Sequence, residues 1–427
     1  MAKQDSYTRA KKRLYWANLL HFYQPPDQDR NILERVVNES YHPVLRIFEQ
    51  IPSAKAIINI QACLIELLIK TGFGKIITRM KKLADSGQIE FTLSPRFHPF
   101  MPFMHEDEID RQVAQCLKIS KMYFGLNYNP KGFYSPELAY SQIVSKAAAR
   151  FNCRWLPVDE ITITGKLGQL PYDRLYMDKS AGGLLLIPRD RRISNAIANT
   201  IFAKDTINNT NDFIKLANNH KRKFVFTAND VEQFGHHHKG GQTLLRLLYR
   251  DTRLTSTTLS ELASHVRKKD YSKPRQSDWV VSPEEVKKNM NFYTWKNPSN
   301  KIHSILWELY KIVYDEIKNS AKSGDILHNR SQDMLGAAAT SCSFFWSSCR
   351  PWWYGVYPEN AATNICLALF SLLSPAPRVK AKAFRLRQNI YNMVKQLNES
   401  GEARKLQQKF LKSNNIDAKS FFKKHRQ

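Results

Sequence analysis

The sequence lacks the features that would tie it to a membrane or an oxidising compartment. Its six cysteines, Cys63, Cys116, Cys153, Cys342, Cys349 and Cys366, form no C-x-x-C pair. Most sit among apolar neighbours, where a free thiol packs as a small hydrophobe, and that usage suits a reducing compartment. Long hydrophobic runs are missing too. The longest uncharged one, Ile365 to Leu373, falls well short of the ~20 residues that a bilayer span needs. The run Leu14 to Leu20 is too short for the apolar part of a secretion signal. A soluble, cytoplasmic chain with no membrane partner is the expectation.

Acidic residues are also scarce, with 38 Asp and Glu against 65 Lys and Arg, for a formal net charge of +27. Such a charge invites a nucleic-acid reading, but it is unevenly spread. Residues 378–427 hold 14 Lys or Arg against three Asp or Glu. No helix-turn-helix, zinc-finger spacing or aromatic ribonucleoprotein motif accompanies the charge, so nucleic acid is not expected as a partner. A solvated basic surface explains it. The three consecutive histidines His236, His237 and His238 cannot easily bring all three ring nitrogens to one ion, and no HxxxH lies nearby. Neither a metal nor another cofactor is expected.

What the chain does have is a core. With 427 residues, 42% hydrophobic and 11% aromatic, it can form one large barrel and a second domain. Short apolar runs alternate with helix-periodic segments through the first 265 residues. Strand candidates include Tyr15–Leu20, Ile89–Leu93, Gly132–Tyr134, Arg154–Val158, Gly183–Pro188 and Phe224–Thr227. Helical spacing marks 40–50, 60–70, 76–85, 106–124, 141–151 and 242–249. Alternation of this kind implies a parallel sheet, and about seven strands over ~260 residues imply a barrel. The Lys-, Arg-, Ser- and Pro-rich stretch 266–283 reads as a connector, and from Glu284 onward the pattern is helical. The predicted organisation is a basic arm over 1–13, an incomplete seven-stranded (β/α)7 TIM-like barrel over 14–265, the connector, and a C-terminal helical domain with a basic tail over 284–427. The helical domain should pack on the barrel mouth with Trp346 or the Trp352–Trp353 pair near the cleft. From Lys412 to Gln427 too few apolar positions remain to anchor the tail.

Three segments put His or carboxylate residues where a strand should end, which is where parallel α/β barrels do chemistry. They are Leu20-His21-Phe22-Tyr23-Gln24-Pro25-Pro26, Ser135-Pro136-Glu137-Leu138-Ala139-Tyr140 and Asn229-Asp230-Val231-Glu232-Gln233-Phe234-Gly235-His236. His98 ends a further strand. Glu137 sits among apolar and aromatic residues, where a carboxylate is either paired or functional. Asp230 alone could be a helix N-cap or a turn residue. If the strand geometry continued, Glu232 would share its face. Two carboxylates on different strands are the minimal equipment for glycoside hydrolysis.

The ordered set resembles glycoside hydrolase family 57. The first motif is similar to His21–Pro25, the second to Gly87–Glu90 with His98-Pro99, the third to Ser135–Tyr140 and the fourth to Asp230–Gly235. A weaker fifth is similar to Thr258-Leu259-Ser260-Glu261-Leu262. Tyr23 stands where a second His is common, Phe133 or Tyr134 where the third motif opens with Trp, and Val231 where Gly is frequent. The resemblance implies a retaining glycosidase or transglycosylase acting on α-glucan or oligosaccharide, with Glu137 as nucleophile and Asp230 as acid/base. Asp230 would then need burial and the nearby Glu137 charge to keep its proton. His21, Gln24, His98, Glu232 and His236 would bind or orient hydroxyls. Trp295, Trp346 and Trp352 are candidate stacking platforms, with core packing as the competing role. A metal-dependent polysaccharide deacetylase and a non-catalytic carbohydrate-binding homologue are the alternatives.

Overall fold

A computed structural model describes residues 14–126, 128–200, 202–203, 205–218 and 222–424. The expected arm 1–13 lies outside them. Ten strands form one sheet system: β1 (Leu14–Phe22), β2 (Ala56–Ile60), β3 (Ile89–Leu93), β4 (Gly132–Phe133), β5 (Trp155–Asp159), β6 (Leu175–Asp178), β7 (Leu184–Arg189), β8 (Phe224–Asp230), β9 (Leu254–Thr257) and β10 (Lys269–Ser272). Seven of them, in the spatial order β7-β5-β4-β3-β2-β1-β8, run parallel. At the seam between β7 and β8, Asp190 N donates to Phe226 O at 2.8 Å and Arg189 Nε to Ala228 O at 3.1 Å. This is the expected barrel of parallel strands with helices between them. β6 pairs antiparallel with β7 and β10 pairs with β6, extending the sheet outside the ring. β9 shares one edge of β1 with β2.

Strand alternation sorts the side chains. On β1, Ala17 and Leu19 point into one core, while Leu14, Trp16, Leu20 and Phe22 point into another. On β8, Phe224, Phe226 and Ala228 join the first core and Val225 the second. Parallel strands covered on both faces read as continuous apolar runs, as the fully buried Ala56-Ile57-Ile58-Asn59-Ile60 of β2 does. The register pairs Ala17 with Phe226, Leu19 with Ala228 and His21 with Asp230. The inward row of each strand therefore ends at the same level of the barrel, on a histidine and a carboxylate.

The C-terminal part is helical: Lys301–Lys322, His328–Ala338, Ser341–Phe345, Val356–Phe370, Pro377–Glu399, Glu402–Ser413 and Ala418–Lys424. Its buried Leu306, Val313, Leu335 and Ile365 belong to the same core as Ala17, Phe226 and Trp155 of the barrel. Two expectations need correction. The connector is more than a linker, because it contains β10 and is tied to the barrel on both sides of Trp279. The tail is anchored, because Phe421 is only 3% exposed and packs on Trp352 with ring centroids 5.2 Å apart.

Candidate active site

Glu137 lies in a short turn after β4, where its backbone takes a left-handed conformation, φ 62° and ψ 17°. A residue with a side chain holds that conformation only when its surroundings fix it, and such strain gathers at functional sites. The fixing groups are on the connector. The Tyr140 and Ser277 backbones bond each other in both directions, at 2.8 and 3.2 Å. Arg191 reaches from beyond β7 to the carbonyls of Val281 (2.7 Å) and Asp278 (3.0 Å), while its Nε lies 3.0 Å from Asp159 at the end of β5. Trp279 is thereby set against Glu137. Its indole Nε1 donates to Oε2 at 2.7 Å, and its backbone N to the Glu137 carbonyl at 3.2 Å.

The other oxygen, Oε1, accepts from Ser341 Oγ at 2.6 Å. Ser341 begins one of the C-terminal helices, so two parts of the chain 204 residues apart meet at this carboxylate. Among the described residues no Lys or Arg contributes an ion pair, and the cationisable atom within reach is His98 Nδ1 at 4.0 Å. Burial pushes the Glu137 carboxyl up to about 7. The two hydrogen bonds pull it down, and the charges of Asp230 and Asp278 push it up further. Desolvation outweighs hydrogen bonding here, with no Lys or Arg of the described residues paired to the group.

His21 and His98 form the floor beside it. Their Nε2 atoms stand 3.1 Å apart. His21 Nδ1 faces Asn59 Oδ1 at 2.7 Å, and His98 Nδ1 faces Ser341 Oγ at 2.8 Å. Burial lowers the basicity of both rings, while the Asp230 charge and the Asn59 contact raise that of His21. Tyr23, which occupies the place of the family's second histidine, lies flat on His98 at 4.1 Å and 16°. Tyr134 stacks on His21 at 4.8 Å.

Asp230 closes β8 and its carboxylate is exposed, in contrast to the burial expected for it. It stands at the N-cap position of the turn Val231–Gln233, yet its side chain makes no capping bond. The N-cap role expected as one structural reading of this residue therefore does not hold, while its place at the turn does. Glu232 does not continue the strand. The turn swings it into the interior, 5% exposed, where its Oε1 accepts from Tyr41 Oη (2.8 Å) and Gln24 Nε2 (2.9 Å). Burial first, and the Asp230 charge second, push it up to about 8. Gly235, at φ 130°, ends the motif. A Cβ there would collide with the Glu39 carbonyl, so only glycine fits.

Residues 4–274 match the glycosyl hydrolase family 57. The chain belongs to that family. Alpha-amylase 1 of Dictyoglomus thermophilum is 23% identical over 227 residues, which is 52% of this chain and 32% of that protein. The chain spans about a third of the length of the curated amylases it matches. Among solved structures, a family 57 branching enzyme of Pyrococcus horikoshii superposes with a TM-score of 0.66 at 16% identity, covering 94% of this chain and 95% of that one. A 4-alpha-glucanotransferase of Thermococcus litoralis gives 0.65 at 15% identity, covering 84% and 60%.

Against this family background, the structure brings Glu137, Asp230, His21, His98, Gln24 and Glu232 to the C-terminal ends of the strands. His236 lies beside them but is bonded to Glu39, with its Nδ1 2.5 Å from Oε2. Trp295 is a correction. It is 0% exposed and stacked on Phe100 at 4.6 Å, so neither face is open to a sugar. Trp346 and Trp352 line a cavity of about 660 Å³ together with Trp353, Arg404, Phe421 and Phe422, against the terminal helix rather than on the carboxylates. Trp279 and Ser341 touch Glu137 and were not singled out as site residues. Trp279 is the one tryptophan of the connector, an apolar side chain costly to leave in a polar strap, and that was the available signal. The weak fifth motif has a local explanation: Thr258 and Glu261 form a reciprocal capping box at the helix Leu259–His265.

Proposed function

We propose that this family 57 chain is a retaining glycosidase or glucanotransferase acting on α-glucans, with Glu137 as nucleophile and Asp230 as general acid/base. The observation that carries this reading is the contrast between the two carboxylates. Glu137 is largely enclosed, with 12% of its side chain exposed, and is strained and held by two neutral donors. Asp230 ends the inward row of β8, beside that of His21, caps nothing and faces solvent. A nucleophile must be fixed relative to the anomeric carbon, and an acid/base must reach a leaving oxygen and then water or a hydroxyl. The family relatives named as amylase, branching enzyme and glucanotransferase support an α-glucan substrate.

In this mechanism the ionised Glu137 forms a bond to the anomeric carbon as the glycosidic C–O bond breaks, and Asp230 gives its proton to the departing oxygen. Asp230 then takes a proton from water or an acceptor hydroxyl, which attacks the same carbon and releases Glu137. Double displacement requires the carboxyl groups about 5–5.5 Å apart. Gln24 and Tyr41 hold Glu232 as a proton-bearing or hydroxyl-orienting neighbour, and Trp279 keeps water and cations off the Glu137 Oε2. The deacetylase alternative needs an Asp/His/His set. Among the described residues, no group of three or more His, Cys, Asp or Glu is placed to hold an ion.

The test is chemical. Glu137→Gln should abolish turnover and keep glucan binding, since the lost interaction acts in the transition state. Asp230→Asn should lose much less on aryl glycosides with good leaving groups than on maltooligosaccharides. A 2-fluoroglycosyl donor should label Glu137. Near-normal turnover by Glu137→Gln would end the reading. An unlabelled, inactive wild type that still bound glucan would favour the binding-only homologue.

A further inference from the structure

Five polar side chains run in one unbroken line from the candidate nucleophile into the barrel interior. Glu137 Oε1 meets Ser341 Oγ at 2.6 Å, Ser341 Oγ meets His98 Nδ1 at 2.8 Å, and His98 Nε2 meets His21 Nε2 at 3.1 Å. His21 Nδ1 meets Asn59 Oδ1 at 2.7 Å, and Asn59 Nδ2 donates to Thr92 Oγ1 at 2.9 Å. Ser341 and Asn59 are 0% exposed, His98 4% and His21 6%. The line is reinforced by backbone contacts, since Ser341 N donates to the His98 carbonyl at 3.0 Å and Thr340 pairs with Pro99. His98, like Glu137, has a left-handed backbone, with φ 59°.

Proton accounting restricts this line. The Ser341 hydroxyl has one hydrogen and two acceptors in reach, Glu137 Oε1 and His98 Nδ1. With Asn59 turned as found, its oxygen requires a hydrogen on His21 Nδ1. The remaining contacts are then satisfied in one of two ways. In the first, Glu137 is protonated and donates to Ser341, Ser341 donates to His98 Nδ1, and His98 Nε2–H donates to His21 Nε2. In the second, Glu137 is ionised, Ser341 donates to it, His98 Nδ1–H donates to Ser341, and both nitrogens of His21 carry hydrogen. The two states hold the same number of protons. They differ by the transfer of one proton from Glu137 through Ser341 and His98 to His21. A 180° turn of the Asn59 amide would let His21 shed that extra proton and leave both rings neutral beside an ionised Glu137.

We propose that Ser341, His98, His21 and Asn59 form a hydrogen-bonded chain that takes the proton from Glu137 on the side away from the substrate and thereby supplies the ionised nucleophile. The inference deepens the reading of Glu137 as nucleophile and rests on it. A largely enclosed carboxyl with no Lys or Arg of the described residues beside it holds its proton more tightly than a free one. The chain gives that proton a destination without opening the cleft. Burial works against a cation on His21, and the groups facing the chain offset part of that cost. Asp230 acts on it through its charge, from β8. Tyr134 covers it from beside β4 and Tyr23 stacks on both rings from the end of β1. On the Glu137 side the titratable neighbours are Asp230, Asp278 of the connector and Cys342 of the helical domain. Ser341 and Asn59 are positioning residues in this scheme, acting on the sugar only through Glu137.

The test uses the full chain and two variants that should move the same quantity in opposite directions. Ser341→Ala breaks the line and removes a donor from Glu137. The acid limb of kcat/KM on an activated aryl α-maltoside should rise by about one pH unit, with Ser341→Thr restoring it. Asn59→Asp replaces the amide with a fixed acceptor that favours the cation on His21, and the limb should move down. Carboxyl 13C NMR of Glu137, read without substrate, should show the same two opposite shifts. A limb and a carboxyl titration that stay put in both variants, or move the same way in both, overturn the chain. Opposite NMR shifts in a protein without turnover would uphold the chain and sink the glycosidase reading, so the two failures are distinct.

Discussion

Trp279 holds Glu137 at both ends, with its indole Nε1 2.7 Å from the carboxylate Oε2 and its backbone N 3.2 Å from the Glu137 carbonyl. One residue of the connector thus fixes both the strained backbone and the direction of the side chain.

The first prediction concerns this grip. Trp279→Phe keeps the ring that packs near Phe345 but removes the Nε1 donor. A hydrogen bond to an ionised group contributes about 1.5–3 kcal/mol, so turnover should fall roughly 10- to 100-fold while the melting temperature changes little. Steady-state kinetics beside calorimetry decide it. Unchanged kcat would show that the indole only fills space.

A second prediction follows from Glu232, which burial holds at about 8. A carboxyl whose folded value exceeds its unfolded one, ~4.3, favours the folded state fully below that unfolded value. Its contribution is lost as pH rises through 8. The melting temperature should therefore decline between pH 5 and pH 9, and Glu232→Gln should flatten that decline by roughly 2 °C or more. An identical pH profile in the variant would show that Glu232 is hydrated.

Trp295 offers a clean separation of core from site. It is wholly buried and stacked on Phe100, and its carbonyl accepts from Trp307 Nε1 at 3.0 Å. Trp295→Ala should cost about 3–5 kcal/mol of stability, while Trp295→Phe should leave KM for maltooligosaccharides unchanged. A KM that rises in the phenylalanine variant with stability intact would restore the platform role.

The terminal helix gives the fourth. Because Phe421 is buried against Trp352, Phe421→Ala should destabilise the protein by about 3 kcal/mol, and deletion from Ala418 onward should do at least as much. Denaturant unfolding reads both. A loss below roughly 0.5 kcal/mol would return the tail to the unanchored state that its composition suggested.

The parts of this architecture legible in the sequence are those with a period or a strand end. β1 and β8 read as short apolar runs that close on polar motifs, so His21 and Asp230 could be placed at strand ends, and the helix Glu106–Phe124 could be bounded. β2 was hidden because its four apolar residues are interrupted by Asn59 and run almost directly into the helix Ala62–Lys70, whose periodicity dominates the stretch. The burial of Asp230 was misjudged because a turn of three residues decides which of two neighbouring carboxylates goes inside. Trp279 and Ser341 carry no periodic signal. Their importance arises only when the connector and the helical domain fold back on the barrel. Phe421 was overlooked because two aromatic residues among lysines look solvated until a partner such as Trp352 is seen.

The family match ends at residue 274, whereas both donors to Glu137 come from residues 279 and 341. The basicity of Glu137 is thus set in part by the stretch of chain that the family signature does not cover. Exchanging the C-terminal half between relatives would leave the barrel and its carboxylates in place and retune the pH at which they act. The pH at which that carboxyl ionises therefore depends on residues that a barrel alone would not carry.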